Sequence, residues 1–162
     1  MFAETAPMSV SVRSLEETEN LARCAAGFVK AGDCLLLDGP VGAGKTAFAR
    51  ALIQALLQVP EDVPSPTFTL VQTYAAPAFE IWHCDLYRLT NADELIELGL
   101  EEAFETALTV IEWPDRLGSL APSFAQNLRF RVEDDGTTRE ITVSGDGRWA
   151  ACLAGFVTGA ST

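Results

Sequence analysis

Eight residues, Gly39-Pro40-Val41-Gly42-Ala43-Gly44-Lys45-Thr46, follow the spacing G-x-x-x-x-G-K-[ST] in full. The apolar run Cys34-Leu35-Leu36-Leu37 precedes them, and behind them Phe48, Leu52, Ala55 and Leu56 recur at helical spacing. A buried strand that passes through a glycine turn into an amphipathic helix commits the chain to an α/β fold with parallel strands at its centre. The same residues dictate a chemistry. Glycines let backbone amides turn inward around an anion without a Cβ in the way, and the N-terminus of the following helix adds partial positive charge. Lys45 brings a mobile cation to β- and γ-phosphates, and the Thr46 hydroxyl suits Mg²⁺. A glycine turn that merely opened a helix would have no need of lysine and threonine in its first turn. The loop is therefore expected to seat the phosphates of ATP, with GTP the second choice, on Gly42, Ala43, Gly44, Lys45 and Thr46.

The rest of the chain reads as one domain over residues 1–162, behind a loose leader at Met1–Met8. Ser9–Arg13 alternates like a short strand, and Ser14 with Glu17 matches a capping box. Leu21, Ala22, Ala25, Phe28 and Val29 carry a helix that Gly32 is expected to close. Pro60, Pro64 and Pro66 hold a loop open, after which Thr67–Tyr74 and Phe79–Tyr87 are β-rich. Asn91 with Glu94 opens a helical stretch that Gly99 interrupts, and Leu108–Ile111 is an apolar strand ending in Glu112. Leu128–Glu133 and Arg139–Ser144 alternate around Asp134-Asp135-Gly136, a hairpin signal. Trp149–Val157 reads as a packed terminal helix. The expected architecture has three layers around a mixed, largely parallel sheet, with a C-terminal β-hairpin.

Composition removes several functions. A formal net charge of −12 repels a phosphate backbone at long range, which argues against unaided nucleic-acid binding. Cys24, Cys34, Cys84 and Cys152 form no C-x-x-C pair and have only His83 beside them, so they read as reduced, mostly buried thiols rather than a zinc site. The start is not basic-then-apolar, and no apolar run reaches the roughly 18 residues that span a bilayer. The expectation is a cytoplasmic protein with no membrane association.

A phosphate loop needs a carboxylate at the end of a neighbouring strand to hold Mg²⁺ or its water shell. Asp85 and Glu112 both stand at such ends, and the pattern leaves direct and water-mediated contact open for each. Ser65-Pro66-Thr67-Phe68 lies in the loop after the first nucleotide-site helix, where a switch segment would present a hydroxyl to the γ-phosphate or the metal. A proline turn with both hydroxyls on local amides gives the same pattern. His83 reads as a hydrogen-bonded strand residue rather than a catalyst. Trp113 after Glu112 suits the core, yet Pro114 places it at a strand exit, where an exposed aromatic would suit stacking or a partner.

Together, Gly42-Ala43-Gly44-Lys45-Thr46, Ser65-Pro66-Thr67-Phe68-Thr69-Leu70-Val71, His83-Cys84-Asp85-Leu86-Tyr87-Arg88-Leu89, Glu94-Leu95 through Gly99, and Ile111-Glu112-Trp113-Pro114 resemble the TsaE family. The likeness extends over about Ser14 to Val143. It implies a P-loop NTPase fold and a Mg²⁺-dependent ATPase, slow alone, that joins the TsaB and TsaD subunits. TsaD attaches threonylcarbamoyl to the adenosine beside the anticodon of tRNAs reading codons that begin with A. ATP hydrolysis would reset that complex, and tRNA would be met only through it. Carried over by motif, Thr46 and Glu112 would be magnesium ligands. Asp85 would orient water or metal, acting with Lys45 and Thr67. Ser65 and Thr67 would form the switch, and Trp113 would lie near the nucleotide or a partner. The base would lie near Thr18 and Arg139. One departure is Ala47, where the family often has a second threonine; the amide is kept and one hydroxyl is lost.

Two other readings use the same motif. One is a partner-binding switch in which ATP occupancy matters and hydrolysis is incidental. The other is a small-molecule kinase, which would want several arginines in a closing lid; here Arg88, Arg116 and the others are scattered.

Overall fold

The apolar run ahead of the glycine loop becomes the middle of a sheet because it has nothing polar to offer solvent on either face. In this computed structural model, which describes residues 7–145 and 148–160, the chain forms β1 (Met8–Val12), α1 (Leu15–Ala26), β2 (Cys34–Asp38), α2 (Lys45–Leu56), β3 (Val71–Ala75) and β4 (Glu80–Asp85). There follow α3 (Asp93–Leu98), α4 (Leu100–Thr106), β5 (Leu108–Glu112), a 3₁₀ segment (Pro114–Leu120), β6 (Gln126–Val132), β7 (Arg139–Ser144) and α5 (Arg148–Ala160). Of the expected leader, residues 1–6 lie outside the described residues, and Met8 already belongs to β1.

Among the described residues the strand order is β1-β7-β6-β2-β5-β4-β3. The middle strands β6, β2, β5 and β4 run parallel, while β1–β7, β7–β6 and β3–β4 pair antiparallel. The expected mixed sheet with a parallel centre and a C-terminal hairpin is present. β2 and β5 are buried along almost their whole length, as parallel strands covered on both faces must be. Leu35, Leu37, Leu108 and Val110 pack beneath α1, α2 and α5. Cys34, Leu36 and Ile111 face the other way, toward Leu95, Leu100, Phe104 and Leu117 of the α3–α4 side. Two apolar clusters on opposite faces of one sheet make three layers. β6 instead alternates, with Leu128 and Phe130 inward and Asn127, Arg129 and Arg131 outward. Phe130 meets Phe48 of α2 edge to face at 5.8 Å, and each fully buried ring contributes roughly 1.5–3 kcal/mol.

α1 begins as its sequence asks. Ser14 Oγ accepts from the Glu17 amide at 3.1 Å, while the Glu17 carboxylate accepts from the amide of Arg13, one residue ahead of the cap. Its end differs from the expectation: the helix stops at Ala26, with Gly27 as its cap, and not at Gly32. Phe28 and Val29 still pack on the core. A continued helix would carry the chain past the entrance to β2. Instead Asp33 turns it back, accepting from the Lys30 amide at 2.8 Å, with Gly32 at φ 87°. Arg148 then binds both Asp33 oxygens at 2.8 and 2.9 Å, tying α5 to this turn. The other difference is at Thr67–Leu70, which forms a turn ahead of β3; the Thr69 and Leu70 amides both donate to Pro66 O. All four cysteines are free, and burial pushes the Cys34 and Cys152 thiols up to about 12.

β2 has β5 on one side and β6 on the other, so the chain reverses its direction of winding there. The crevice beyond the carboxyl ends of β2, β5 and β4 is where ligands of open α/β sheets bind. No helix among the described residues is long and apolar enough to cross a membrane.

Candidate functional site

The loop after β2 is shaped by its glycines. A Cβ at Gly39 would stand 2.5 Å from the carbonyl oxygen of Phe130, so only glycine lets the loop leave β2 past β6. Gly44 caps α2 at φ 108° and supplies no side chain, which leaves the first amides of the helix without a side-chain cap. Gly44, Lys45, Thr46 and Ala47 border a cavity of about 490 Å³, with Thr67, Asp85 and Glu112 opposite.

Lys45 is 4% exposed. Its Nζ donates to Gly39 O at 2.5 Å and stands 3.6 Å from the centroid of the Trp113 ring. Burial lowers its pKa, against which the charges of Glu112, Asp38, Asp85 and Asp115 act. Trp113 is half-buried, between the core and exposed readings of its place at a strand exit, and it borders the cavity. Pro114 disfavours the right-handed helical region for the residue before it. Trp113 takes φ 59° and ψ 55°, and its ring packs over Lys45 and against Tyr87, 5.0 Å between centroids.

The two acids come together as the register of the parallel strands requires, because Asp85 of β4 is the partner of Glu112 of β5. Glu112 is 1% exposed. Its Oε1 accepts from Thr46 Oγ1 at 2.6 Å and its Oε2 pairs with His83 Nε2 at 2.8 Å. Asp85 accepts at Oδ1 from the Tyr87 amide at 3.0 Å and at Oδ2 from Thr67 Oγ1 at 3.1 Å. Ser65 is exposed and reaches this group only through Thr67, hydroxyl to hydroxyl at 2.8 Å. Ala43 is wholly buried, and its amide donates to Pro40 O rather than into the cavity.

A second cavity of about 270 Å³ adjoins the first across Gly42 and Gly44, and Arg13, Ser14, Thr18, Thr137 and Arg139 line it. Thr18 and Arg139, near which the base is expected, both line this concavity. Arg139 donates to Gly42 O at 3.3 Å and so joins the β6–β7 hairpin to the loop.

These residues fit the groups that the motif calls for. The donor set of Thr46, Glu112 and Asp85 is all oxygen, which suits a hard cation. Among the described residues no three His, Cys, Asp or Glu side chains gather as a self-sufficient metal cage. Magnesium held by one or two carboxylates together with phosphates needs none.

The model of the family described as "Threonylcarbamoyl adenosine biosynthesis protein TsaE" matches residues 12–141. The chain belongs to the TsaE family. Curated TsaE proteins described as tRNA threonylcarbamoyladenosine biosynthesis proteins are similar over most of their length. That of Rickettsia bellii is 43% identical over 124 residues, covering 76% of this chain and 86% of the relative. That of Bacillus subtilis is 35% identical over 134 residues, 82% of each, and that of Treponema pallidum 34% over 133, covering 82% and 96%. The crystal structure of Bacillus subtilis YdiB superposes with a TM-score of 0.74 over 98% of both chains at 24% identity, a likeness of fold. In this TsaE-family chain the matched span ends within β7, so α5 lies beyond it.

Sequence reasoning missed two features of the site. No local pattern marks Tyr87 as the neighbour of Trp113. His83 is the hydrogen-bonded strand residue that the sequence predicts, but its partner, the carboxylate beside Thr46, is not read from the sequence. The signal was present: in a strand, residues two apart share a face, so His83 and Asp85 point to the same side of β4.

Proposed function

We propose that this chain is the ATPase subunit of tRNA threonylcarbamoyladenosine formation, working with TsaB and TsaD. ATP would place its phosphates on the uncapped start of α2 and on Lys45, and its base in the cavity between Thr18 and Arg139. Thr46 and Glu112 would hold magnesium, directly or through water, and when bound the ion would neutralise charge on the phosphates. Asp85 is held at both oxygens by Tyr87 and Thr67, which suits it to orient a water and take its proton. Thr67, with Ser65 behind it, presents the hydroxyl of a switch loop. Trp113 guards the Lys45 side of the phosphate seat. Turnover resets the TsaB–TsaD complex, and the acidic surface suits a subunit that meets tRNA only through its partners.

The observation that carries this reading is the 2.6 Å hydrogen bond between Thr46 and Glu112 beside Lys45, which joins the loop hydroxyl to a strand-end acid as a magnesium pair would need. Calorimetric titration with ATP and Mg²⁺ is expected to give one binding event per chain. Lys45→Ala should weaken binding or turnover by about 10²-fold or more, since preorganised donors to phosphate charge carry such factors. Tagged TsaB and TsaD are expected to retain the chain in the presence of ATP and Mg²⁺. Absence of any heat with ATP, or no retention under any condition, would sink the proposal.

A further inference from the structure

We propose that His83 is a positioning residue that fixes the orientation of the Glu112 carboxylate and so sets the affinity for the divalent ion. The proposal rests on the reading of Glu112 as a metal-facing acid. Glu112 is gripped at both ends: Thr46 Oγ1 lies 2.6 Å from Oε1, and His83 Nε2 lies 2.8 Å from Oε2. An ionised carboxylate only accepts, so Nε2 carries the proton that points at it. A carboxylate held at one oxygen still turns about its terminal bond, which is broad and soft. Held at both, it keeps one set of lone pairs aimed along the Thr46 side.

The histidine is costly as a mere filler of space. It is 0% exposed, and its Nδ1 is buried without a hydrogen-bond partner among the described residues. An apolar side chain of similar size would fill the same gap beneath α2 without an unmet polar atom. Nε2 is therefore the functional end of the ring, and Glu112 is what it touches. Partners that orient a metal ligand from behind typically matter by about 10–100-fold in metal affinity.

The test uses the full chain, Mn²⁺ as the probe ion and ADP as the nucleotide. His83→Phe removes the donor and keeps the bulk; His83→Gln returns an N–H near the place of Nε2. Mn²⁺ binding to the ADP complex, read by electron paramagnetic resonance, should weaken about tenfold or more in His83→Phe. ADP affinity in EDTA should stay within about twofold, and His83→Gln should recover most of the loss. Equal Mn²⁺ affinity in His83→Phe and the unaltered protein overturns the proposal, as does an equal loss with and without metal, which is what a structural role predicts. If the unaltered protein itself takes up no Mn²⁺ with ADP, the reading of Glu112 fails instead. Should His83→Phe not fold, the chain's single histidine allows a direct observation by ¹⁵N labelling. Its Nε2 signal should shift when ADP is added with Mg²⁺ and not with EDTA, and the same response to both overturns the proposal.

Discussion

Thr46 and Thr67 each donate a hydroxyl to an acid at the end of a parallel strand, at 2.6 Å to Glu112 and 3.1 Å to Asp85. The two pairs border one cavity but stand on different foundations. Thr46 is in the first turn of α2, and Glu112 ends a fully buried strand with a fully buried histidine behind it. Thr67 sits in a turn between buried Pro66 and Phe68, which is 81% exposed with the Arg88 guanidinium 4.5 Å over its ring. Leu70, which closes that turn, takes φ 66°, a conformation that branched and bulky residues adopt at a cost. Rigid elements keep a geometry, and loops are drawn from the less stable parts of a fold. On the proposed function, the first pair would hold and the second would respond.

The largest effect is expected from breaking the first pair. Glu112→Ala leaves the Thr46 hydroxyl and His83 Nε2 without their acceptor, and a buried donor so stranded costs about 1–3 kcal/mol. In a chain of this size each kcal/mol moves Tm by about 2–4 °C, so melting should fall by several degrees. Mg²⁺-dependent ATP binding should be lost with it, as calorimetry can show; retention of metal-dependent binding would contradict the division of roles.

Asp85→Asn should behave differently. ATP should still bind within a few-fold, while single-turnover hydrolysis falls by about 10²–10⁴-fold if the carboxylate takes a proton from water. A binding loss as deep as that of Glu112→Ala would show that the two acids share one task. If the variant fails to hydrolyse yet sustains tRNA modification over many cycles with TsaB and TsaD, ATP acts as an occupancy switch.

Thr67→Val keeps the shape and removes one hydroxyl. Losing a hydrogen bond worth about 1–1.5 kcal/mol should slow turnover roughly tenfold with Kd little changed. Ser65→Ala should do less, because Ser65 touches Thr67 and not the acid. Equal effects of the two substitutions in the same rate assay would mean that the loop acts as one unit.

What the sequence made legible, and what it hid, follows the same contrast. The strand, the glycine loop, α2 and both acids announce themselves through local patterns: apolar runs, a fixed spacing and single charges at strand ends. The Ser14 cap and the Asp134–Gly136 hairpin are also written locally. The Glu112–His83 contact depends on the register of β4 on β5, which joins residues 29 apart in sequence and has no local signature. The inward turn of Trp113 depends on a left-handed backbone ahead of Pro114, which a strand-end pattern does not encode. The sequence points to Gly32 as the end of α1 because apolar residues continue to Val29 at helical spacing. Those side chains reach the core from a turn instead, since the chain must reverse to enter β2.

The smallest effect concerns a third foundation, the hairpin turn that carries Arg139 to the loop. Asp135 accepts from Thr138 Oγ1 at 2.6 Å and from the amides of Thr138 and Thr137 at 2.8 and 2.9 Å. The Thr138 hydroxyl first, then these amides, lower its pKa from 3.8 to about 2, although the side chain is fully exposed. The folded value lies below the unfolded one, so the stabilisation is complete above pH 3.8 and is lost as pH falls through about 2. Asp135→Asn keeps an oxygen for the amides, while its NH₂ cannot accept from Thr138. The variant should melt slightly lower at neutral pH and lose less stability than the unaltered chain between those two pH values. Since Gly136, Thr137 and Arg139 border the second cavity, ATP affinity should fall modestly while Mg²⁺ dependence is kept. Parallel melting curves for both proteins from pH 4 to pH 2 would remove the turn from the account and leave the proposed base site resting on Arg139 and Gly42 alone.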